Sequence, residues 1–118
     1  MTDSHTPTAL AEAFTGHDFN VAYDHLAEDI VWENIGGETY EGSAAVRSAC
    51  AAALEYFKTI ETTFKRLEAA GDDTHVTVQS LADYTEADGT VSTVASCDVY
   101  TFTDGKINLI RSYNIELG

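Results

Sequence analysis

Two runs rich in β-branched and aromatic residues, Thr90 to Thr103 and Lys106 to Leu117, meet at Asp104-Gly105. An Asp-Gly pair between such runs is the strongest short-range signal for a β-hairpin, because both residues tolerate the positive φ angles of a tight turn. The runs are long enough to span a small domain, so the rest of the chain is organised around them. One residue does not suit its place. Asp98 sits mid-strand, where strand propensity disfavours aspartate. Its carboxyl is therefore either on a wet face or held in a pocket. Alternation puts Val94, Ser96, Asp98 and Tyr100 on one face, with Ala95, Cys97 and Val99 on the other. Val94 and Tyr100 flank the carboxyl, which favours a partly apolar cavity wall. Desolvation in such a wall raises a carboxyl pKa and suits the group to proton donation.

The segments before the hairpin read as helices first and strands afterwards. Thr8 caps a short helix that Gly16 ends, and a second helix is expected from Phe19 to Leu26. Ile30 to Asn34 reads as a short strand, and Ser43 as the cap of an Ala-rich helix reaching about Phe57. Thr59 to Ala70 and His75 to Tyr84 read as strands bounded by the turns Gly71-Asp72-Asp73 and Ala87-Asp88-Gly89. This order predicts an α+β domain in which a curved antiparallel sheet wraps three N-terminal helices. At 118 residues the whole chain, 1–118, is expected to be one domain with its own core.

The balance of charge excludes some partners. Twenty acidic against six basic residues give a formal net charge of −14. Nucleic acid and anionic membranes are disfavoured, since both need a basic patch. Cys50 and Cys97 show no metal-type spacing and read as small buried hydrophobes in a reduced compartment. The polar stretch Met1 to Thr8 lacks the features of a signal peptide, and no segment approaches the length of a membrane span, so a cytoplasmic location is expected. No metal site and no organic cofactor motif is evident.

Four pieces of the chain resemble the nuclear transport factor 2-like superfamily, in particular its SnoaL-like branch. They are Phe14 to Phe19 continuing through Leu26 to Trp32, Tyr40 to Val46, Cys97 to Ile107, and Ile110 to Tyr113. The resemblance implies a cone-shaped half-barrel with a pocket between the concave sheet and the helices, and a homodimer formed through the outer sheet face. It also implies candidate site residues. Ketosteroid isomerases of this superfamily place a carboxylate base near Glu33 or Asn34 and a protonated aspartic acid where Asp98 falls; their first-helix tyrosine falls near Leu10. SnoaL-type cyclases likewise use an aspartate on this hairpin. Limonene-epoxide hydrolases carry a charged triad at positions corresponding to Gln79, Leu81 and Ser112, and its absence argues against epoxide hydrolysis by that route.

The resulting expectation is a cofactor-independent isomerase or cyclase for a small, largely apolar ring carbonyl compound. The alternative is a non-catalytic small-molecule-binding or dimerisation module. Asp98 is the expected acid, Asn34 the polar positioner and Glu33 a reserve base. The pocket is expected to involve Trp32, Phe57, Gln79, Leu81, Val94, Ser96, Tyr100 and Ser112. Regular alternation puts Trp32 and Asn34 on one face of their strand and Glu33 on the other; a one-residue slip would swap them. Leu109, Arg111, Tyr113 and Ile115, with Ile107, form the face expected to bear the partner.

Overall fold

The computed structural model describes residues 6–117, so the first five positions of the polar N-terminal stretch lie outside the described residues. Helix α1 spans Pro7–Thr15. Its cap is Thr6, not Thr8: the Thr6 hydroxyl accepts from the amide of Ala9 at 3.2 Å, and Pro7 takes the first turn, where its missing N–H costs nothing. The expected second helix is instead two 3₁₀ turns, Phe19–Val21 and Tyr23–His25. Asn20, Val21, Asp24 and His25 are all weak helix formers, and strand β1 claims the chain from Leu26 onward, ending at Asn34.

Strand β2, Thr39–Glu41, folds back on β1, and α2, Ser43–Phe57, follows from Gly42. Gly42, not Ser43, occupies the cap position, with φ 93°. Strands β3 (Glu61–Gly71), β4 (His75–Thr85), β5 (Val91–Thr103) and β6 (Lys106–Glu116) form an antiparallel meander. The sheet order is β2-β1-β6-β5-β4-β3. The sheet is therefore mixed, because β6 closes the meander against β1 in parallel. The α+β cone is otherwise as expected, with two α-helices over the concave face.

That face holds the core. Leu10, Ala11 and Phe14 of α1, Val46 and Cys50 of α2, Ile30 of β1, Val76 and Val78 of β4, Tyr100 and Phe102 of β5, and Ile107 and Ile110 of β6 are all buried. Each such large side chain contributes about 1.5–3 kcal/mol of burial free energy. Ile107 belongs here and not on the outer face, because a register shift after Thr101 pairs it with Phe102 and turns it inward. Irregularities of this kind swap the faces of the residues beyond them.

Candidate functional site

Toward the wide end of the cone the core gives way to a cavity of about 200 Å³. Its floor is the sheet, and along the centre of that floor the residues are small or polar: Ser80 of β4, Ser96 and Asp98 of β5, Ser112 and Asn114 of β6. They are neighbours across strands, since Ser80 faces Ser96, Ser96 faces Asn114 and Asp98 faces Ser112. Short side chains leave space where the same positions nearer the apex, Val78 and Tyr100, fill it. Aromatic rings surround this polar patch, Phe14, Phe19 and Phe57 from the helical side and Trp32 and Tyr84 from strands β1 and β4 of the sheet itself. The cavity is thus part apolar and part polar, not apolar throughout.

Asp98 is the only carboxylate lining this cavity among the described residues. Two hydroxyl relays converge on it. Thr15, the last residue of α1, donates to Asp98 Oδ2 at 2.8 Å and lies 2.6 Å from the Tyr100 hydroxyl. Since the Thr15 proton goes to Asp98, Tyr100 is the donor in the second bond. On the other side Trp32 Nε1, which can only donate, lies 3.0 Å from Ser112 Oγ, so Ser112 turns its own proton toward Asp98. Desolvation pushes the Asp98 pKa above the ordinary carboxylate range, and the bonds from Ser112 and Thr15 offset this only in part. No ion pair holds Asp98 ionised among the described residues. Tyr100 is fully buried and its pKa is pushed well above the usual phenol value, so it stays a donor.

The structure brings together Trp32, Asn34, Phe57, Ser96, Asp98 and Ser112 around the cavity, with Tyr100 beneath Asp98. Asn34 gives its side-chain N–H to the Glu38 carbonyl at 3.3 Å, which leaves its own carbonyl oxygen for the cavity. Val94 lies farther out on the same face, in an outer vestibule with Tyr56, Ser92, Glu86 and Glu116 that shares Phe57 and Tyr84 with the cavity. Three expected residues lie elsewhere. Glu33 is on the outer face, where its carboxylate accepts from Arg111 Nε at 3.0 Å. The irregularity in β1 falls between Leu26 and Val31, and beyond it the alternation is regular, with Ile30, Trp32 and Asn34 inward and Glu33 outward. Gln79 and Leu81 alternate with the buried Val78 and Ser80 and also point outward.

Sequence reasoning did not single out Thr15, Tyr84 or His17. His17 lines the cavity with its ring stacked on Phe57, centroids 3.9 Å apart and planes at 12°. Phe64 meets it edge-on at 5.1 Å. Burial among these rings lowers its pKa to about 4, so the imidazole is neutral at ordinary pH. The one sequence hint was its place directly after Gly16 at a helix end. Among the described residues no cluster of His, Cys, Asp and Glu could hold a metal ion.

The sequence profile of the SnoaL-like domain matches residues 8–110. The chain belongs to the SnoaL-like family. No curated protein matches it in sequence. Among solved structures it is similar to an NTF2-like protein of unknown function from Cytophaga hutchinsonii, at 27% identity and TM-score 0.79, covering 91% of this chain and 94% of that one. It also resembles a putative polyketide cyclase from Xanthomonas campestris (21% identity, TM-score 0.67, 86% of this chain and 82% of that one). An LEH-like epoxide hydrolase from M. tuberculosis is similar at 22% identity and TM-score 0.62, over 92% of this chain and 77% of that one. At these identities the last two likenesses concern the fold. The SnoaL-like fold is shared by proteins with different chemistries, so function has to be argued from the cavity.

Proposed function

We propose that this SnoaL-like protein is a cofactor-independent acid/base isomerase or cyclase for a small ring compound bearing a carbonyl or enolisable group. The observation that carries this reading is Asp98: a cavity carboxyl with a raised pKa, held by two hydroxyls and facing no cation among the described residues. In its protonated form, which the raised pKa favours, it donates a hydrogen bond to a carbonyl oxygen as negative charge develops there. A preorganised donor in a water-poor site is worth far more than in bulk water. The aromatic wall would hold the ring, and Ser80, Ser96 and Asn114 would bond its remaining oxygens.

Size narrows the substrate class. A cavity of about 200 Å³ lies just above the roughly 150 Å³ that accommodates benzene and below the roughly 300 Å³ at which drug-sized ligands begin to fit. A single ring with short substituents matches the cavity itself, and a larger substrate would have to extend into the outer vestibule. The two unpaired cysteines agree with action in the cytoplasm.

Cyclohex-3-enone, whose isomerisation to the conjugated enone is followed by ultraviolet absorbance, is a suitable first probe. Asp98→Asn is expected to lower kcat by about a hundredfold or more. Equal rates in both forms would remove Asp98 from the chemistry. The second reading, a non-catalytic binding module, is favoured by the single carboxylate in the cavity, and it would show as saturable binding of the enone without turnover.

A further inference from the structure

The Asp98 reading accounts for an acid and leaves the cavity without a base, since Glu33 is on the outer face. Among the described residues, His17 is the one histidine that lines the cavity. Its backbone is the first observation. The end of α1 is tied by Asp18 N–H to the Ala13 carbonyl at 2.8 Å and His17 N–H to the Phe14 carbonyl at 3.1 Å, the Schellman pattern. That pattern puts His17 at the left-handed position, φ 73°, where glycine is the usual residue. Gly16, one residue earlier, has an ordinary φ of −79°. A bulky residue therefore occupies a strained position, with the relief available next door unused. Strain of this kind persists where the side chain it places is needed.

The side chain is the second observation. Phe57 covers a face of the imidazole, so its hydrogen-bonding capacity is left to the ring edge. Neither ring nitrogen has a hydrogen-bond partner among the described residues, and neither is a buried orphan. They are left for whatever enters the cavity. Tyr84 of β4, stacked near the imidazole at 6.2 Å, and Asp98 of β5 are the other titratable groups on the lining, no Lys or Arg is among them, and burial alone sets the neutral state of His17.

We infer that His17 is the general base of the proposed reaction, accepting the proton from carbon while Asp98 bonds the oxygen. This rests on the acid role given to Asp98 and extends it. In the step, the C–H bond next to the carbonyl breaks and its proton goes to a His17 ring nitrogen. The electron pair moves into the carbonyl oxygen, held by the Asp98 proton. Return of the proton from the imidazolium to the γ carbon gives the conjugated ketone, with nothing oxidised or reduced. Desolvation thus moves the two groups apart, raising the carboxyl pKa of Asp98 and lowering the imidazole pKa of His17, the direction that suits one to give a proton and the other to take one.

The test uses cyclohex-3-enone with wild type, His17→Phe and His17→Asn. Phenylalanine keeps the ring stack and removes the nitrogens. Asparagine tolerates the left-handed backbone, bonds to polar groups and is not basic, so it decides the matter should His17→Phe not fold. Both are expected to lose about a hundredfold or more in kcat while binding the product cyclohex-2-enone within a few-fold of wild type. Either folded variant with near wild-type kcat would overturn the base assignment alone and leave the Asp98 reading standing. A wild type that turns over no cyclohex-3-enone would overturn both.

Discussion

Asp98 and His17 titrate in opposite senses, and the difference can be read from stability alone. Burial raises the folded pKa of Asp98, so its contribution to stability is present at low pH and fades as pH rises through that folded value. Burial lowers the folded pKa of His17 from 6.5 to about 4, so folding expels its proton. Its contribution is full above 6.5 and is lost as pH falls toward 4. The two slopes oppose each other in the wild type and mask one another there. In Asp98→Asn the gain in stability over wild type should grow with pH. In His17→Phe any advantage over wild type should shrink between pH 4 and 6.5, by roughly 1–2 kcal/mol once partial solvent exposure is discounted. Denaturant melts across that range check both, and parallel curves would mean that neither group titrates as described. Asp98 was legible in the sequence because a charged residue breaks a strand pattern. His17 and Thr15 were not, because their meaning comes from contacts across the fold: Thr15 meets Asp98 far along the chain, and His17 is defined by a helix end whose left-handed position cannot be told from Gly16 one residue away.

At the scale of elements, strongly patterned segments kept their sequence reading and weakly patterned ones did not. The β5–β6 hairpin forms about Asp104-Gly105, both at positive φ, and its alternation correctly set Ser96 and Asp98 against Ala95 and Cys97. The segment Phe19 to His25 lost its helix because seven residues, with Asn20, Val21, Asp24 and His25 weak formers, are too few to hold one against a neighbouring strand. The parallel β1–β6 pairing was also hidden, since no local pattern says which strand edges meet. The turn after β3 allows a sharper prediction. Gly71 has φ 155°, and a Cβ there would sit 2.1 Å from the His75 carbonyl oxygen, which is backbone and cannot swing aside. Gly105 has φ 79° but faces open space. Gly71→Ala should therefore cost about 2 kcal/mol or more, and Gly105→Ala about 1 kcal/mol. Thermal melts of the two variants test the order; a Gly105 variant that is the less stable would contradict it.

Viewed whole, the molecule has one side left uncovered. The helices cover the concave face, while the outer face presents half-exposed Leu81, Ala95, Val99 and Leu109 together with Tyr113 and Ile115, which are 43% and 64% exposed. Ion pairs, Glu33 with Arg111 and Lys65 with Asp83, lie on this same side. Apolar area with polar neighbours is the composition of an interaction surface. A second copy of this chain is the proposed occupant, and the net charge of −14 then makes a specific demand. Two such chains repel, so apolar contact must overcome a long-range cost that salt screens within about 10 Å at 0.1 M. Association should therefore tighten as salt is added, the reverse of a contact held mainly by ion pairs. Sedimentation at roughly tens of micromolar protein, a range in which stable interfaces are occupied, should show the dimer fraction rising from low salt to about 0.5 M. Tyr113→Glu should abolish it by placing charge in the apolar centre, while the concave cavity is left untouched. A monomer at every salt concentration would mean that this face meets solvent and that the exposed Tyr113 and Ile115 serve no partner of the same kind.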